Sequence, residues 1–293
     1  MKGGETVRRS SGLSLLLLPL LLSAASAQVA SNRATRYLYP TDVTDARALW
    51  VNPGGLGRIK EASIHLDVTV GEPGPGGRLR QLTAGFNSRG FSLGYQRDLF
   101  DGGVRGHTYR LGFAGGARRL AAGGAATLYR GASSSKGWDV GVVYDLAPAL
   151  TIGGVIANIG RPIVRDSTQP VTYTAGATLR LPGAGGLGGV GGVGGVVGRA
   201  GVSGAISADV RIMSDGVAGY AFGARMGLRE RTAWPLRLLL RVDTDRTLRR
   251  AGFALGLSVG ADDLIGAVAT APGDLRRVDA LSLYGVSTRR LTR

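Results

Sequence analysis

The 293-residue chain contains no cysteine, so it does not rely on disulfides in any compartment. Lysine is nearly missing: Lys2, Lys60 and Lys136 are the only three among 36 basic residues. Histidine occurs twice, at His65 and His107, and neither stands in a metal-ligand spacing. Aromatic residues make up only 6 %. Beyond residue 27 no run of about 18 apolar residues exists, which leaves no candidate transmembrane helix.

What is present in excess is glycine, 50 of 293 residues or about 17 %, against an ordinary usage of roughly 7 %. Each glycine inside a helix costs about 1 kcal/mol relative to alanine, so the composition speaks against a helical protein. Hydrophobic residues at 44 % speak equally against a disordered chain. The formal charge is +16, nearly all of it from arginine. These arginines are scattered and form no basic run, so nucleic acid is not an expected partner. Arginines facing water or anionic lipid headgroups account for them better.

The first 27 residues read as an export signal. Lys2, Arg8 and Arg9 make a basic start, Leu13 to Leu22 an apolar core, and Ala25-Ser26-Ala27 a small-residue cleavage site. The mature chain is expected to begin at Gln28.

From residue 62 onward the chain alternates. In "VTYTAGATLRL", Val171 to Leu181, Tyr173, Ala175, Ala177 and Leu179 share one face, and Thr172, Thr174, Thr178 and Arg180 the other. Similar segments are expected near 62–70, 79–87, 90–99, 106–116, 119–130, 137–146, 149–159, 171–181, 202–213, 217–229, 235–244, 250–260, 264–271 and 278–289. That makes fourteen strands, each near the ~9–11 residues of a tilted membrane strand. The polar face consists mostly of Gly, Ser, Thr, Ala, Arg and Asp, which suits a narrow lumen better than a solvated surface. Trp138, Tyr144 and Trp234 fall near strand ends, where interfacial aromatics lie. The expected fold is therefore all-β: a transmembrane up-and-down antiparallel barrel of about 14 strands. Only a closed barrel lets strands cross lipid, because every backbone group must find a partner there.

Two segments depart from this pattern. Residues 28–58 precede the barrel (59–293) and contain a helical stretch from Thr41, a possible N-cap, to Trp50. It stops at Asn52-Pro53-Gly54-Gly55-Leu56-Gly57, and the whole segment is expected to plug or cap the barrel mouth. Gly183 to Gly198 is a low-complexity loop. Its Gly183, Gly185 and Gly188 match a dinucleotide fingerprint by letters, but no ordinary helix follows to hold a pyrophosphate, so no cofactor is expected.

Catalysis is not expected. Ser63, His65 and Asp67 share a strand face, but residues two apart stand nearly 7 Å from one another, and a base must come within roughly 2.6–3.2 Å of its proton. His107 falls at a strand edge on the apolar face and reads as interfacial. Arg110, Arg180, Asp209, Arg211, Arg225, Arg237, Arg241 and Asp243 point to the lumen side. They either line a pathway or fill the interior by mutual ion pairing.

"DVTDARALWVNPGGLG" (42–57) resembles the start of the FadL/PorV-like outer-membrane proteins, where an acidic, Ala-rich stretch runs into Asn-Pro-Ala-Gly-Leu. "WDVGVVYDLAPALTIGGVIANIGRP" (138–162) resembles the family's mid-barrel hairpin, with Asn158 and Gly160 at its end. The resemblance implies a barrel in the outer-membrane lipid and an N-terminal plug. It further implies either uptake of small hydrophobic, fatty-acid-like molecules or a scaffold for secretion-machinery proteins. Asn52, Pro53, Gly54, Gly55 and Leu56 are then expected to shape the plug or its hinge without touching substrate. A lumen sealed by Arg–Asp pairs would favour the scaffold, and an apolar pocket beside residues 50–57 would favour transport.

Overall fold

The computed structural model describes residues 32–33, 35–58, 62–72, 77–101, 105–131, 134–164, 167–181, 202–214, 216–228, 234–249, 251–261, 263–271, 273 and 277–289. The expected signal segment and the Gly183 to Gly198 loop lie outside these residues.

Fourteen strands close into one antiparallel barrel. In the first half run β1 (Ala62–Gly71), β2 (Arg78–Ser88), β3 (Phe91–Leu99), β4 (Arg105–Ala117), β5 (Leu120–Arg130), β6 (Ser134–Ala147) and β7 (Leu150–Ile159). A two-stranded hairpin follows, β8 (Ile163–Val164) with β9 (Ser167–Thr168), outside the barrel wall. The second half holds β10 (Thr172–Leu181), β11 (Ser203–Met213), β12 (Gly216–Leu228), β13 (Leu236–Asp245), β14 (Ala251–Val259), β15 (Asp263–Ala271) and β16 (Ala280–Arg289). Each strand pairs with its sequence neighbour, β7 with β10, and β1 closes on β16 from Ala62↔Arg289 to Gly71↔Ala280. Ten residues at ~3.3 Å each, tilted by ~40°, rise about 25 Å, the height of a membrane barrel's apolar band.

Alternation in sequence becomes orientation. Ile64 and Leu66 keep 55 % and 52 % of their surface open, whereas Ser63, His65 and Asp67 keep 1 %, 3 % and 1 %. Leu93, Leu111, Phe113, Trp138, Val140, Leu240 and Leu255 are likewise exposed, and they give the barrel an apolar outer wall. Hydrocarbon is the medium in which such a wall is stable. Both ends of the barrel sequence meet at one rim, here called proximal, where β1 starts and β16 ends. At that rim β2–β3, β4–β5 and β6–β7 are joined by two residues each. Arg89 (φ 50°) and Gly90 (φ 88°) supply the two positive φ angles of a primed hairpin turn, which matches strand twist.

The inner face is not uniformly polar. Leu239, Val268, Tyr284 and Val286 point inward and pack with Tyr37. A second apolar cluster joins Val43, Ala48, Leu49, Leu56 and Ala125. Both clusters are built on residues 37–56, so the molecule's core is the N-terminal segment lodged within the barrel. Full burial of a leucine such as Leu49 or Leu56 contributes about 2 kcal/mol.

The helix expected over Thr41 to Trp50 is shorter: α1 covers Ala48–Val51 and a 3-10 helix covers Pro53–Arg58. Thr41 is not its N-cap. Its hydroxyl shares a 2.6 Å hydrogen bond with Thr178, and Arg47 holds the cap position without a side-chain bond to the helix N-terminus. Tertiary partners inside the lumen have replaced the local helical ladder.

Candidate functional site

The lumen and the segment inside it form the site. Residues 32–33 lie against β2, where the Arg33 N–H donates to Gln81 Oε1 at 2.7 Å and Asn32 Nδ2 to Thr83. The chain then crosses the interior and leaves toward the proximal rim at Arg58, which is ion-paired with Asp145 on β6.

Asn52 is the pivot of this path. It is wholly buried, and its Nδ2 donates to the carbonyls of Pro40 (2.8 Å) and Val142 (3.1 Å). Its Oδ1 accepts from the Gly54 N–H at 2.9 Å. One side chain thus joins two turns of the segment to the β6 wall. Beyond it the segment lies against a shelf of small residues. A methyl group on Gly54 would stand 2.7 Å from the Gly141 carbonyl oxygen, and one on Gly57 2.5 Å from that of Gly115. Reciprocally, a methyl on Gly94 would meet Leu49 at 2.7 Å, on Gly112 Leu49 at 2.5 Å, and on Gly123 the Pro53 carbonyl at 2.5 Å. At Gly115, Gly123 and Gly141 the backbone of the wall thus meets the backbone of the segment, whereas Gly94 and Gly112 make room for the Leu49 side chain.

Elsewhere the contacts are ionic and aromatic. Arg47 forks onto Asp45 (2.9 and 2.7 Å), donates to the Tyr37 hydroxyl at 2.6 Å and lies 4.8 Å above the Tyr284 ring. Tyr37 stacks on Tyr284 at 5.7 Å. Burial opposes ionisation of Asp45, yet the charge and hydrogen bonds of Arg47 outweigh it and hold the carboxyl below its ordinary range. Arg241 donates to the Leu38 carbonyl at 2.7 Å, stacks over Tyr39 at 4.6 Å and pairs with Asp243 at 2.7 Å and Asp209 at 3.7 Å. Asp42 receives Arg225 at 2.7 Å and Arg180 at 3.8 Å. Arg110 pairs with Asp139 and lies 5.3 Å above the Trp50 ring.

Two vestibules, each roomy enough for many waters, open on the side away from the proximal rim. One, about 420 Å³, is lined by Trp50, Gln96, Thr108, Arg110, Tyr129 and Asp139 among others. The other, about 530 Å³, is lined by Arg36, Arg211, Arg241, Asp243, Phe253 and Thr270 among others. Asn32 and Arg211 border both. The cavity beside Trp50 is mixed in polarity, in contrast to the apolar pocket that transport led one to look for.

Arg110, Arg180, Asp209, Arg225, Arg241 and Asp243 are thus brought together around the segment. Arg211 faces the vestibules and makes no ion pair with another described residue. Arg237, set opposite Gly227 and Ser258, shares the inward face near the proximal rim, away from this group. Asn52, Gly54, Gly55 and Leu56 are buried together with Pro53 at the base of the segment. Not singled out from sequence were Tyr37, Asp42, Asp45, Arg47 and the inward carboxylates Asp139 and Asp145. The last two occupy the polar positions of an alternating strand, a signal readable from sequence. Asp42, Asp45 and Arg47 carry no period that marks them.

Ser63, His65 and Asp67 share the inward face, but Ser63 Oγ accepts from the Ala46 N–H at 3.2 Å. His65 Nε2 stands 3.7 Å from Asp67 Oδ2, beyond hydrogen-bond reach. His107 lies on the outer wall, where its Nδ1 meets the Tyr95 hydroxyl at 2.8 Å.

No protein-family model matches the chain, and no curated protein sequence matches it. Solved structures do. The fold is similar to that of CymD, a monoaromatic hydrocarbon channel, with TM-score 0.54 and 11 % identity over 89 % of this chain and 97 % of that one. It is similar to the Ralstonia pickettii toluene transporter TbuX, with TM-score 0.54 and 12 % identity over 91 % and 99 %. The resemblance read from residues 42–57 and 138–162 holds at the level of fold.

Proposed function

We propose that this chain is an outer-membrane barrel through which small hydrophobic molecules pass, with residues 28–58 as a plug that must shift to open the lumen. The first 27 residues serve as the export signal. The observation that carries the reading is the lodged segment itself, which blocks the proximal half and leaves vestibules on the other side. A permanent core would be expected to pack against large side chains. This segment meets the second half of the barrel through one apolar cluster, Tyr37 with Leu239, Val268, Tyr284 and Val286, and otherwise through hydroxyl and ion-pair contacts, of which the half-exposed Arg225–Asp42 pair is one that water replaces at low cost. The shared fold with two hydrocarbon channels supports small aromatic hydrocarbons as the first substrates to try.

The test uses the absence of cysteine. Thr41 and Thr178 have hydroxyls 2.6 Å apart, so T41C with T178C will form a disulfide tying segment to wall. In proteoliposomes, uptake of radiolabelled toluene is expected from the parent protein, to be blocked in the oxidised variant and restored by reductant. Uptake unaffected by the crosslink sinks the moving plug.

A second reading has its own observation. The pairs Arg58–Asp145 and Arg225–Asp42 tie the segment to the wall and Arg110–Asp139 bridges β4 and β6, which supports a closed interior of the kind a non-transporting scaffold for secreted proteins requires. A folded barrel inert to toluene and to fatty acid leaves that reading in place.

A further inference from the structure

The outer wall of β3–β6 is organised in rows across the strands. One row is apolar: Ile64, Phe86, Leu93, Leu111, Ala126 and Trp138 stand directly opposite one another in succession from β1 to β6. The next row away from the proximal rim runs Tyr95, Tyr109, Leu128, Lys136. Above it Arg97 lies opposite His107, and His107 opposite Arg130. Arg105 follows, opposite Leu99.

Every ionisable charge at the outward positions of these four strands is therefore basic, and every one sits at the distal end. The neighbouring carboxylates are engaged elsewhere. Asp98 points inward to Gln81 and Gln96, Asp139 pairs with Arg110, and Asp101 is held by Arg78 and Arg80. Arg97 Nε is buried and has no hydrogen-bond partner. Arg97 and Arg130 flank His107 on the strands to either side of it, about 10 Å apart, so one anion set over the histidine can be reached by both guanidinium groups. The second half of the barrel shows the contrast. On β10–β16 the outward positions carry only Asp263 and Arg289, paired with each other at 2.8 Å at the proximal rim.

Below the basic row the wall is hollowed. A groove of about 870 Å³ runs among Phe86, Leu93, Tyr95, Tyr109, Leu128 and Trp138, over a floor that includes Ala84, Gly85 and Gly137. Its lining is overwhelmingly apolar, and Lys136 closes it on the basic side.

We propose that this face docks one bilayer lipid with an anionic phosphate headgroup. The phosphate lies between Arg97, Arg130 and Lys136, and an acyl chain fills the groove. Guanidinium groups chelate phosphate oxygens through charge-assisted hydrogen bonds, and the long Lys136 stem reaches up from the aromatic row. With the two-residue turns β2–β3, β4–β5 and β6–β7 taken as the periplasmic ones, the basic row of these strands lies in the outer leaflet.

Trp138 lies in the groove and reports occupancy. Trp234, exposed on the wall, is removed as W234F, and Trp50 is shielded inside the lumen. The protein is reconstituted in phosphatidylcholine vesicles containing a minor fraction of phosphatidylglycerol, with bromine on the acyl chains of one lipid or the other. Brominated phosphatidylglycerol is expected to quench Trp138 well beyond its share of the bilayer. The excess is expected to vanish in R97Q/R130Q/K136Q and to persist in R89Q/R118Q/R119Q, which removes as many charges at the opposite rim. Heat-modifiable gel mobility checks that each barrel is folded, and R130Q alone is read if the triple variant is not. Quenching that follows bulk composition, or an excess that survives R97Q/R130Q/K136Q, overturns the proposal. So does loss of the excess on adding inorganic phosphate at the lipid's concentration, since the site would then take the free anion.

Discussion

The two halves of the barrel hold the same segment by different means. Strands β3–β6 offer glycine, and the stretch from Leu49 to Gly57 lies so close that a methyl on Gly54, Gly57 or Gly123 would strike a backbone carbonyl. Strands β10–β16 offer Arg180, Arg225, Arg241 and Tyr284, and residues 37–47 answer with Asp42, aromatic rings and carbonyls. Backbone contact is rigid: no rotamer change relieves an added methyl. Side-chain contact is adjustable and can be exchanged for water. A plug that moves is therefore expected to let go of the second half first and to swing on Asn52 and the glycine shelf.

The severest way to break this comparison is to fill the shelf. Gly54→Ala with Gly57→Ala places two methyls against backbone, and at 1–3 kcal/mol each the pair is expected to cost about 4 kcal/mol. Tryptic cleavage at Arg47 in an otherwise folded, heat-modifiable barrel reads the release of the segment. Continued protection would show that the glycines fit the segment without fixing it.

Arg47→Met comes next. It leaves the Asp45 carboxylate enclosed without its partner, at an expected cost of about 3 kcal/mol, most of which Asp45→Asn in the same chain should restore. Thermal melting of the three variants in detergent measures the cycle. If Arg47→Met alone is neutral, the pair is not what stiffens residues 45–47.

Acid should act on the same pair. Asp45 is held below its unfolded value, near 3.9, so its contribution is complete above that pH and is lost as pH falls through the lower folded value. Pepsin sensitivity of the segment is expected to rise only in that acid window, and Asp45→Asn should flatten the rise.

The smallest effect belongs to Arg225→Gln. Arg225 is 40 % exposed, so its bridge to Asp42 is expected to contribute less than about 1 kcal/mol and to fade with salt. A larger loss would make the second half as firm an anchor as the first and erase the difference between them.

The strands were legible because lipid on one side and a tight lumen on the other impose a period of two. The expected span 62–70 became Ala62–Gly71, and 171–181 became Thr172–Leu181. The inward arginines were legible on the same ground, but their partners were not. Asp42 and Asp45 sit in an aperiodic stretch, and what they pair with is set by positions more than a hundred residues away in Arg180 and Arg225, or by a neighbour two residues on in Arg47. The helix read over Thr41 to Trp50 failed for a related reason, since the Thr41 hydroxyl found Thr178 across the lumen.

The sequence by itself determined a closed antiparallel wall, its apolar outside and the number of strands, because side-chain alternation and backbone pairing are local rules repeated along the chain. Only the tertiary structure decided how the interior is filled. Which glycine receives which carbonyl, and which arginine each aspartate meets, depend on the path of one aperiodic segment through the lumen, and no local rule governs that path.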